Sequence, residues 1–363
     1  MNNYKVLGIM SGSSMDGVDL AHFTFGHENG QWNYEINAAD TIPFSETWRV
    51  RLSQLRKQSA LNYVKTDIFF GYYLGELTNK FLSDNNLEVD LISSHGHTAF
   101  HFPEGGVTAQ VGDGESLSAI TGIPSVTNFR RMDVAKGGQG APLVTIGDDL
   151  LFNEYDFCLN LGGFANVSTR TDNKRVGYDI CASNILLNRI ARDLGQSYDK
   201  DGEIAERGSI DYELLGQLNA IEYYSKPYPK SLNRDWINKE LWHIVRAARD
   251  TSLEDRMKTL VDHIATQIGN DIEDLSQGDS SGKKVLATGG GAFNLALMDH
   301  LKSHTDAELI VPDNNLIQYK ESLVFGLMGL MRVLNQNNVN AEGTGAKSSS
   351  IAGSLHGDYS KIQ

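Results

Sequence analysis

Cysteine, proline and long apolar runs are all scarce in this chain, and each shortage narrows what it can be. Its two cysteines among 363 residues, Cys158 and Cys181, show neither metal-ligand spacing nor a redox pairing, which fits a reducing compartment. The seven prolines build no low-complexity linker. No apolar run approaches the ~20 residues of a membrane-spanning helix. Strand-like sequence begins at about Tyr4, which predicts no signal peptide, no preceding DNA-binding helix-turn-helix and a cytoplasmic location. Basic residues are short too: 32 Lys and Arg against 46 Asp and Glu give a formal charge of -14. Such a chain repels nucleic acid and anionic membrane at long range, so neither is an expected partner. An anionic small molecule would need local donors and a divalent cation. Two familiar phosphate-binding signatures are also missing, GxxxxGK[ST] and a GxGxxG followed by an acidic residue in a compact unit.

What is present is an ordinary soluble composition, 40% hydrophobic and 21% charged, at a length for about two domains. Residues 6–25, VLGIMSGSSMDGVDLAHFTF, carry the most information: an apolar run breaks into Ser, Gly and Asp and then resumes with alternation. That pattern predicts a strand-turn-strand hairpin, with Gly12 and Gly17 admitting a close backbone approach. The tip is either a nest of donors for an anion such as phosphate, or an ordinary Gly/Ser turn closed by Asp16. Residues 35–42 read as a further strand and 47–58 and 61–86 as helices. Two short buried-type strands follow, 90–94 and 123–127, running into polar loops that begin at His95 and Asn128. In open α/β sheets ligands sit beyond such strand ends, so these loops are a candidate site.

A second cycle starts at residues 157–168, FCLNLGGFANVS, another apolar strand interrupted by a Gly pair. Residues 176–179 predict a short strand, 185–194 and 253–275 helices, 284–291 (KVLATGGG) a strand ending in three glycines, and 319–334 a helix starting near Tyr319. The layout implies two related α/β domains. Two Gly-rich hairpins, one per half, together with a strand-GGG-helix unit can cradle the phosphates and the adenosine of a nucleotide; Gly-rich packing turns are the alternative.

Six motifs carry a resemblance: Met10-Ser-Gly-Ser-Ser-Met-Asp-Gly, Ser94-His-Gly-His-Thr, Phe129-Arg-Arg-Met-Asp, Gly137-Gly-Gln-Gly-Ala-Pro, Asn160-Leu-Gly-Gly-Phe-Ala-Asn and Thr288-Gly-Gly-Gly-Ala. In this order, over nearly the whole chain, they closely resemble the anhydro-N-acetylmuramic acid kinases. The resemblance implies an α/β fold of two ribonuclease-H-like (actin-like ATPase) domains with an interdomain cleft. It implies an enzyme that uses ATP and Mg²⁺ to open the 1,6-anhydro ring of a peptidoglycan-derived sugar and phosphorylate O6. On this resemblance Gly12, Ser13, Ser14, Met15, Asp16, Gly17, Val18 and Asp19 hold phosphates, with Asp16 near the metal. Gly162, Gly163 and Asn166 form the opposing hairpin, and Gly289, Gly290 and Gly291 pack against adenosine. His95, Thr98, Arg130, Asp133 and Asn184 meet the sugar, Arg130 being suited to its carboxylate by its planar fork. Asp179 matches the family's catalytic aspartate, the general base toward water, and Glu321 matches an acid near the nucleotide, with a helix-start glutamate as the plain alternative.

The chain departs from the family pattern after Asp179, where Ile180-Cys-Ala-Ser-Asn stands for the usual Thr-Gly-Pro-Gly-Asn. Losing two glycines predicts a different backbone course for that loop. Cys181 reads as a packing residue, because no activating histidine is adjacent. Expected boundaries are an N-terminal domain at 1–127, a C-terminal domain at 128–340 and a tail at 341–363 that packs back on the first. A homodimer is expected. Alternatives from the same fold are a kinase for another amino sugar, or a catalytically weakened sugar sensor.

Overall fold

The computed structural model describes residues 2–12, 15–172, 174–228, 230–360 and 362. Its strands are β1 (Asn2–Ser11), β2 (Gly17–Glu28), β3 (Gln31–Pro43), β4 (Leu91–Phe102), β5 (Val107–Val111), β6 (Ser125–Thr127), β7 (Phe157–Leu161), β8 (Phe164–Thr171), β9 (Lys174–Ala182), β10 (Lys284–Thr288), β11 (Glu308–Ile310) and β12 (Ser354–His356). They form two sheets, ordered β12-β6-β4-β1-β2-β3, with β5 on β4, and β11-β10-β7-β8-β9. In the first, β1, β2 and β3 run as an antiparallel meander, β4 lies parallel to β1 and β6 parallel to β4. The second repeats this with β7, β8 and β9 as meander, β10 parallel to β7 and β11 parallel to β10. Two sheets of one topology, each flanked by helices, are the two ribonuclease-H-like α/β domains expected.

Each unit closes its own core. In the first, β1 and β2 bury Leu7, Ile9, Val18 and Leu20, and helix Ala60–Asp84 lays Phe70, Leu74 and Phe81 on them at helical spacing. Ser59 caps that helix, its hydroxyl accepting from the Asn62 N–H at 3.3 Å. In the second, helix Leu253–Leu275 buries Met257, Leu260, Val261, Ile264, Ile268 and Ile272. Ser252 caps it, and Glu254 and Asp255 in its first turn suit the positive end of the helix dipole.

The two compact units are Met1–Phe152 with Tyr319–Gln363, and Asn153–Gln318. The packing therefore draws the division away from 127/128 and 340/341, because residues 128–152 and 319–340 cover the first sheet. A Cβ on Gly8 of β1 would lie 2.1 Å from the Ser322 carbonyl oxygen, and Phe325 packs on Phe129 at 5.6 Å between ring centroids. β12 joins the same sheet, antiparallel to β6.

Three local expectations change. His95 to Thr98 lie within β4 and not in a loop after it, since the strand bulges at Gly96 (φ +71) and continues to pair with β5. β9 runs through Ala182, so Ile180, Cys181 and Ala182 are buried strand residues and not a loop after Asp179. The helix expected to begin near Tyr319 begins at Asn314, which sets Glu321 about two turns inside it.

Candidate active site

In the first unit, β1 ends at Ser11 and the chain turns with the Met15 N–H donating to the Gly12 carbonyl at 3.3 Å and Met15 at φ +63. Ser13 and Ser14 lie outside the described residues. Asp16 is exposed, and its carbonyl accepts from the Phe44 N–H at 3.1 Å. Gly17 answers to the sheet: a Cβ there would meet the Ile42 carbonyl oxygen of β3 at 2.3 Å. The Val18 side chain belongs to the core, which leaves only its backbone for a ligand.

Asp19 follows on β2. It is half-buried and accepts from the Thr41 hydroxyl at 2.7 Å, with the Tyr319 phenol 3.3 Å from that hydroxyl. Burial pushes its carboxyl up to about 6; the Thr41 bond opposes the rise, and the charges of Glu321 and Asp16 add to it. Three acids thus share one electrostatic neighbourhood. Glu321 reaches solvent, yet the protein crowded around it raises its carboxyl, against the pull of Arg130 and Lys320. Lys320 is committed elsewhere, 2.6 Å from Asp148 in a buried pair.

Arg130 follows β6 and is held on two sides. Its Nε donates to His95 Nε2 at 2.8 Å and its Nη1 donates to the Gly140 carbonyl. His95 Nδ1 lies 3.0 Å from the Gly96 carbonyl, which can only accept, so the proton sits on Nδ1 and Nε2 receives Arg130. Burial and the Arg130 charge agree in holding this imidazole neutral, well below its usual value. Burial lowers Arg130 to about 10, with Glu321 and Asp133 opposing, so it stays cationic at neutral pH. Asp133 is 1% exposed; one oxygen accepts from the Thr344 hydroxyl at 2.6 Å and the other from the Gly140 N–H at 2.7 Å. His95 and Asp133, expected to touch the sugar, are thus spent inside the protein as supports. Arg130 Nη2 takes no hydrogen bond among the described residues, and half-buried Thr98 receives only a long 3.4 Å contact from Gln110. These two remain open to a ligand. His97 faces the turn from β4, its Nδ1 3.0 Å from Ser11 Oγ, and burial, with the Arg56 charge adding, lowers it to about 4.

In the second unit, the β7–β8 hairpin turns through Gly162 and Gly163, where an added Cβ would meet nothing nearer than 3.5 Å. Gly163 O accepts from the Ser183 and Ile185 N–H groups at 2.9 and 3.2 Å, and Gly162 O from Asn184 N–H at 3.2 Å. Asn184 Nδ2 donates to the Leu161 carbonyl at 2.9 Å. The opening N–H groups of helix Asn184–Asp193 are therefore used by the hairpin, and the hairpin's own N–H groups are what an anion would meet. The three glycines after β10 divide. Gly289 (φ +81) and Gly291 sit so close to the hairpin that a Cβ would lie 2.5 Å from Asn160 Oδ1 and 2.7 Å from Leu161 Cβ, respectively. Gly290 is exposed, with Asn184 Nδ2 as nearest neighbour at 3.9 Å, and offers bare backbone.

Asp179 lies on β9, paired across to Asn166 on β8. Its N–H donates to the Lys230 carbonyl at 3.3 Å, its carbonyl accepts from the Tyr223 hydroxyl at 2.7 Å, and its Oδ2 accepts from the Leu232 N–H at 2.9 Å. Burial raises the carboxyl, with the Leu232 bond opposing. The segment carrying Lys230 and Leu232 was not singled out in the sequence. It is anchored by the Tyr228 ring stacked on Tyr178 at 5.4 Å, and by Lys230 Nζ lying over Tyr178 and Tyr223 and 3.7 Å from Asp271. Its available signal was the Lys226-Pro-Tyr run just ahead of a second lysine. Cys181 is fully buried and its thiol is pushed far up, so it is chemically quiet.

Among the described residues no group of three or more His, Cys, Asp or Glu side chains could hold a metal ion, and no helix is long and apolar enough to cross a membrane. A family model described as anhydro-N-acetylmuramic acid kinase matches residues 4–358. A protein of that name from Aliivibrio fischeri is 36% identical over 322 residues, covering 83% of this chain and 84% of its own length. One from Mannheimia succiniciproducens is 34% identical over 370 residues, covering 96% and 97%. One from Haemophilus influenzae is 32% identical over 376 residues, again covering 96% and 97%.

Proposed function

The chain belongs to the anhydro-N-acetylmuramic acid kinase family, and we propose from that membership that it transfers the γ-phosphoryl group of ATP to O6 of anhydro-N-acetylmuramic acid as water opens the 1,6-anhydro ring. The observation that carries the chemistry is Asp179: a half-buried carboxylate with raised proton affinity, one oxygen held by a backbone N–H and the other without a hydrogen bond among the described residues. A carboxylate so prepared takes a proton from water better than an ordinary surface aspartate. Water attacks C1, its proton passes to Asp179, and the C1–O6 bond breaks with its electron pair going to O6. O6 attacks the γ-phosphorus in line and ADP leaves, giving N-acetylmuramic acid 6-phosphate.

The open N–H groups of Gly162 and Gly163 and the bare backbone of Gly290 receive the nucleotide in the second unit. In the first, the phosphates are assigned to the segment after β1, in which Ser13 and Ser14 lie outside the described residues. Arg130 Nη2 and Thr98 hold the sugar, the guanidinium taking its carboxylate. Mg²⁺ would sit beside Asp19, a half-buried carboxylate near the charges of Glu321 and Asp16. With phosphates and water filling most of its coordination, Mg²⁺ needs only one or two carboxylates, and Asp16 and Asp19 would hold it. When bound it neutralises charge developing on the transferred group.

The test is incubation with ATP, Mg²⁺ and 1,6-anhydro-N-acetylmuramic acid in ¹⁸O water. The expected product is 6-phosphorylated and carries ¹⁸O at C1. ADP release that never depends on an anhydro sugar removes the proposal.

A further inference from the structure

We infer that the C-terminal segment around Thr344 is a working part of the sugar site, with Thr344 and Asp133 acting as positioning residues for the Arg130 guanidinium. This rests on the assignment of Arg130 to the sugar carboxylate, and deepens it.

The relay is continuous and lies within one unit. The Thr344 hydroxyl donates to Asp133 Oδ1, Asp133 Oδ2 accepts from the Gly140 N–H, and the Gly140 carbonyl accepts from Arg130 Nη1. His95 closes the other side through Nε. With Nε and Nη1 both tied, the plane of the guanidinium is set, and Nη2 is the nitrogen that makes no hydrogen bond among the described residues. The direction of Nη2 therefore depends on where the Gly140 carbonyl stands. That carbonyl belongs to a loop with little freedom: Gly140 has φ +66, and a Cβ there would meet Val134 Cγ2 at 2.8 Å. A Cβ on Gly138 would meet Asp133 Oδ2 at 2.2 Å. The loop is bound from the other side by the C-terminal segment. Gln139 N–H donates to the Thr344 carbonyl at 2.8 Å, Lys347 N–H to the Lys136 carbonyl at 3.1 Å, and Lys136 Nζ to the Ser349 carbonyl at 2.9 Å.

A buried carboxylate is a costly way merely to fasten a loop, since each oxygen must be bonded to offset its desolvation. Here one oxygen is spent on the Gly140 N–H, whose residue holds Arg130, and the other on the Thr344 hydroxyl of the C-terminal segment. Two buried supports on either side of a cation, with one donor edge left over, form an arrangement that selects an anion by direction as well as by charge.

The test is Thr344→Val, which keeps the shape and removes the donor. The sugar KM should rise roughly tenfold, the worth of one misplaced charge-assisted hydrogen bond, with the ATP KM unchanged, and Thr344→Ser should restore it. The inhibition constant of 1,6-anhydro-N-acetylglucosamine, which lacks the lactyl carboxylate, should be the same for wild type and Thr344→Val. An unchanged sugar KM in folded Thr344→Val, or an equal penalty on both sugars, overturns the inference. Should Thr344→Val fail to fold, Lys136→Met loosens the same loop without stranding a carboxylate, and a normal sugar KM there overturns the inference as well. Arg130→Lys, run in parallel, separates the two levels: a normal sugar KM in that variant sinks the assignment of Arg130 itself.

Discussion

Asparagine at position 19 should stabilise the first unit at neutral pH while impairing work with ATP. The Asp19 carboxyl, ordinarily near 3.8, is pushed up to about 6, mainly by burial and further by Glu321 and Asp16. At 1.36 kcal/mol per unit of pKa, keeping it ionised in the fold costs about 3 kcal/mol, or about 2 kcal/mol once its partial contact with water is allowed for. The folded chain binds this proton more tightly than the unfolded chain. Its contribution to stability is therefore full below about pH 4 and is lost as pH rises through about 6. Asparagine is neutral throughout, and its amide oxygen can still accept from the Thr41 hydroxyl. Thermal unfolding of both proteins between pH 4.5 and pH 7.5, the assay range, should therefore show a gap that opens in favour of Asp19→Asn toward neutral pH. At roughly 2–4 °C per kcal/mol the gap is several degrees. Turnover should fall and the Mg²⁺ requirement should rise in the same variant, the trade expected where charge is held against its own preference for function. A variant less stable than wild type at neutral pH, or a gap that does not change with pH, would refute the reasoning.

Asp179→Asn should lower turnover by about 10²–10⁴ with ATP affinity nearly unchanged by calorimetry, since its amide oxygen can still accept from the Leu232 N–H; near-normal turnover would move the base elsewhere. Because burial raises the Asp179 carboxyl, the wild-type rate should fall as pH drops through that raised value, above the usual 3.8. A profile whose acid limb survives Asp179→Asn assigns that limb to another group. The glycines after β10 should separate: Gly291→Ala, with its Cβ 2.7 Å from Leu161 Cβ, should lose about 1–3 kcal/mol of stability in urea unfolding. Gly290→Ala should fold normally and raise the ATP KM, and equal melting temperatures for both variants would contradict the division.

The strands and long helices were legible because apolar spacing reports a buried face directly. Helix Leu253–Leu275 carries its period without interruption, and both hairpins show an apolar run broken by glycine. The extension of β4 through His95 and His97 was not legible, since two histidines in sequence look like a polar loop. They are tolerated in a buried strand because each ring is neutral and bonded, one to Arg130 and Gly96 and the other to Ser11. Those partners come from across the fold. The extension of β9 through Ala182 was hidden differently: a comparison with the glycine-bearing loop of relatives suggested a loop, while Ile180, Cys181 and Ala182 themselves are apolar enough to pack.

At the site, residue type pointed to the charged groups and composition pointed to the glycines, but neither says what each is for. Gly17 and Gly291 exist for a backbone or side chain within 3 Å of where a Cβ would be, while Gly290 exists beside open space, and only tertiary distance tells them apart. The supports of the functional side chains were the least visible part, for a physical reason. Beside the Tyr223 hydroxyl and the His95 ring, Asp179 is held through the Lys230 carbonyl and the Leu232 N–H, and Arg130 through the Gly140 carbonyl. Backbone groups are common to every residue and leave no mark in a sequence. An active group announces itself by its side chain, whereas the direction in which it points is set in good part by backbone atoms that any residue could supply, provided the fold brings them there.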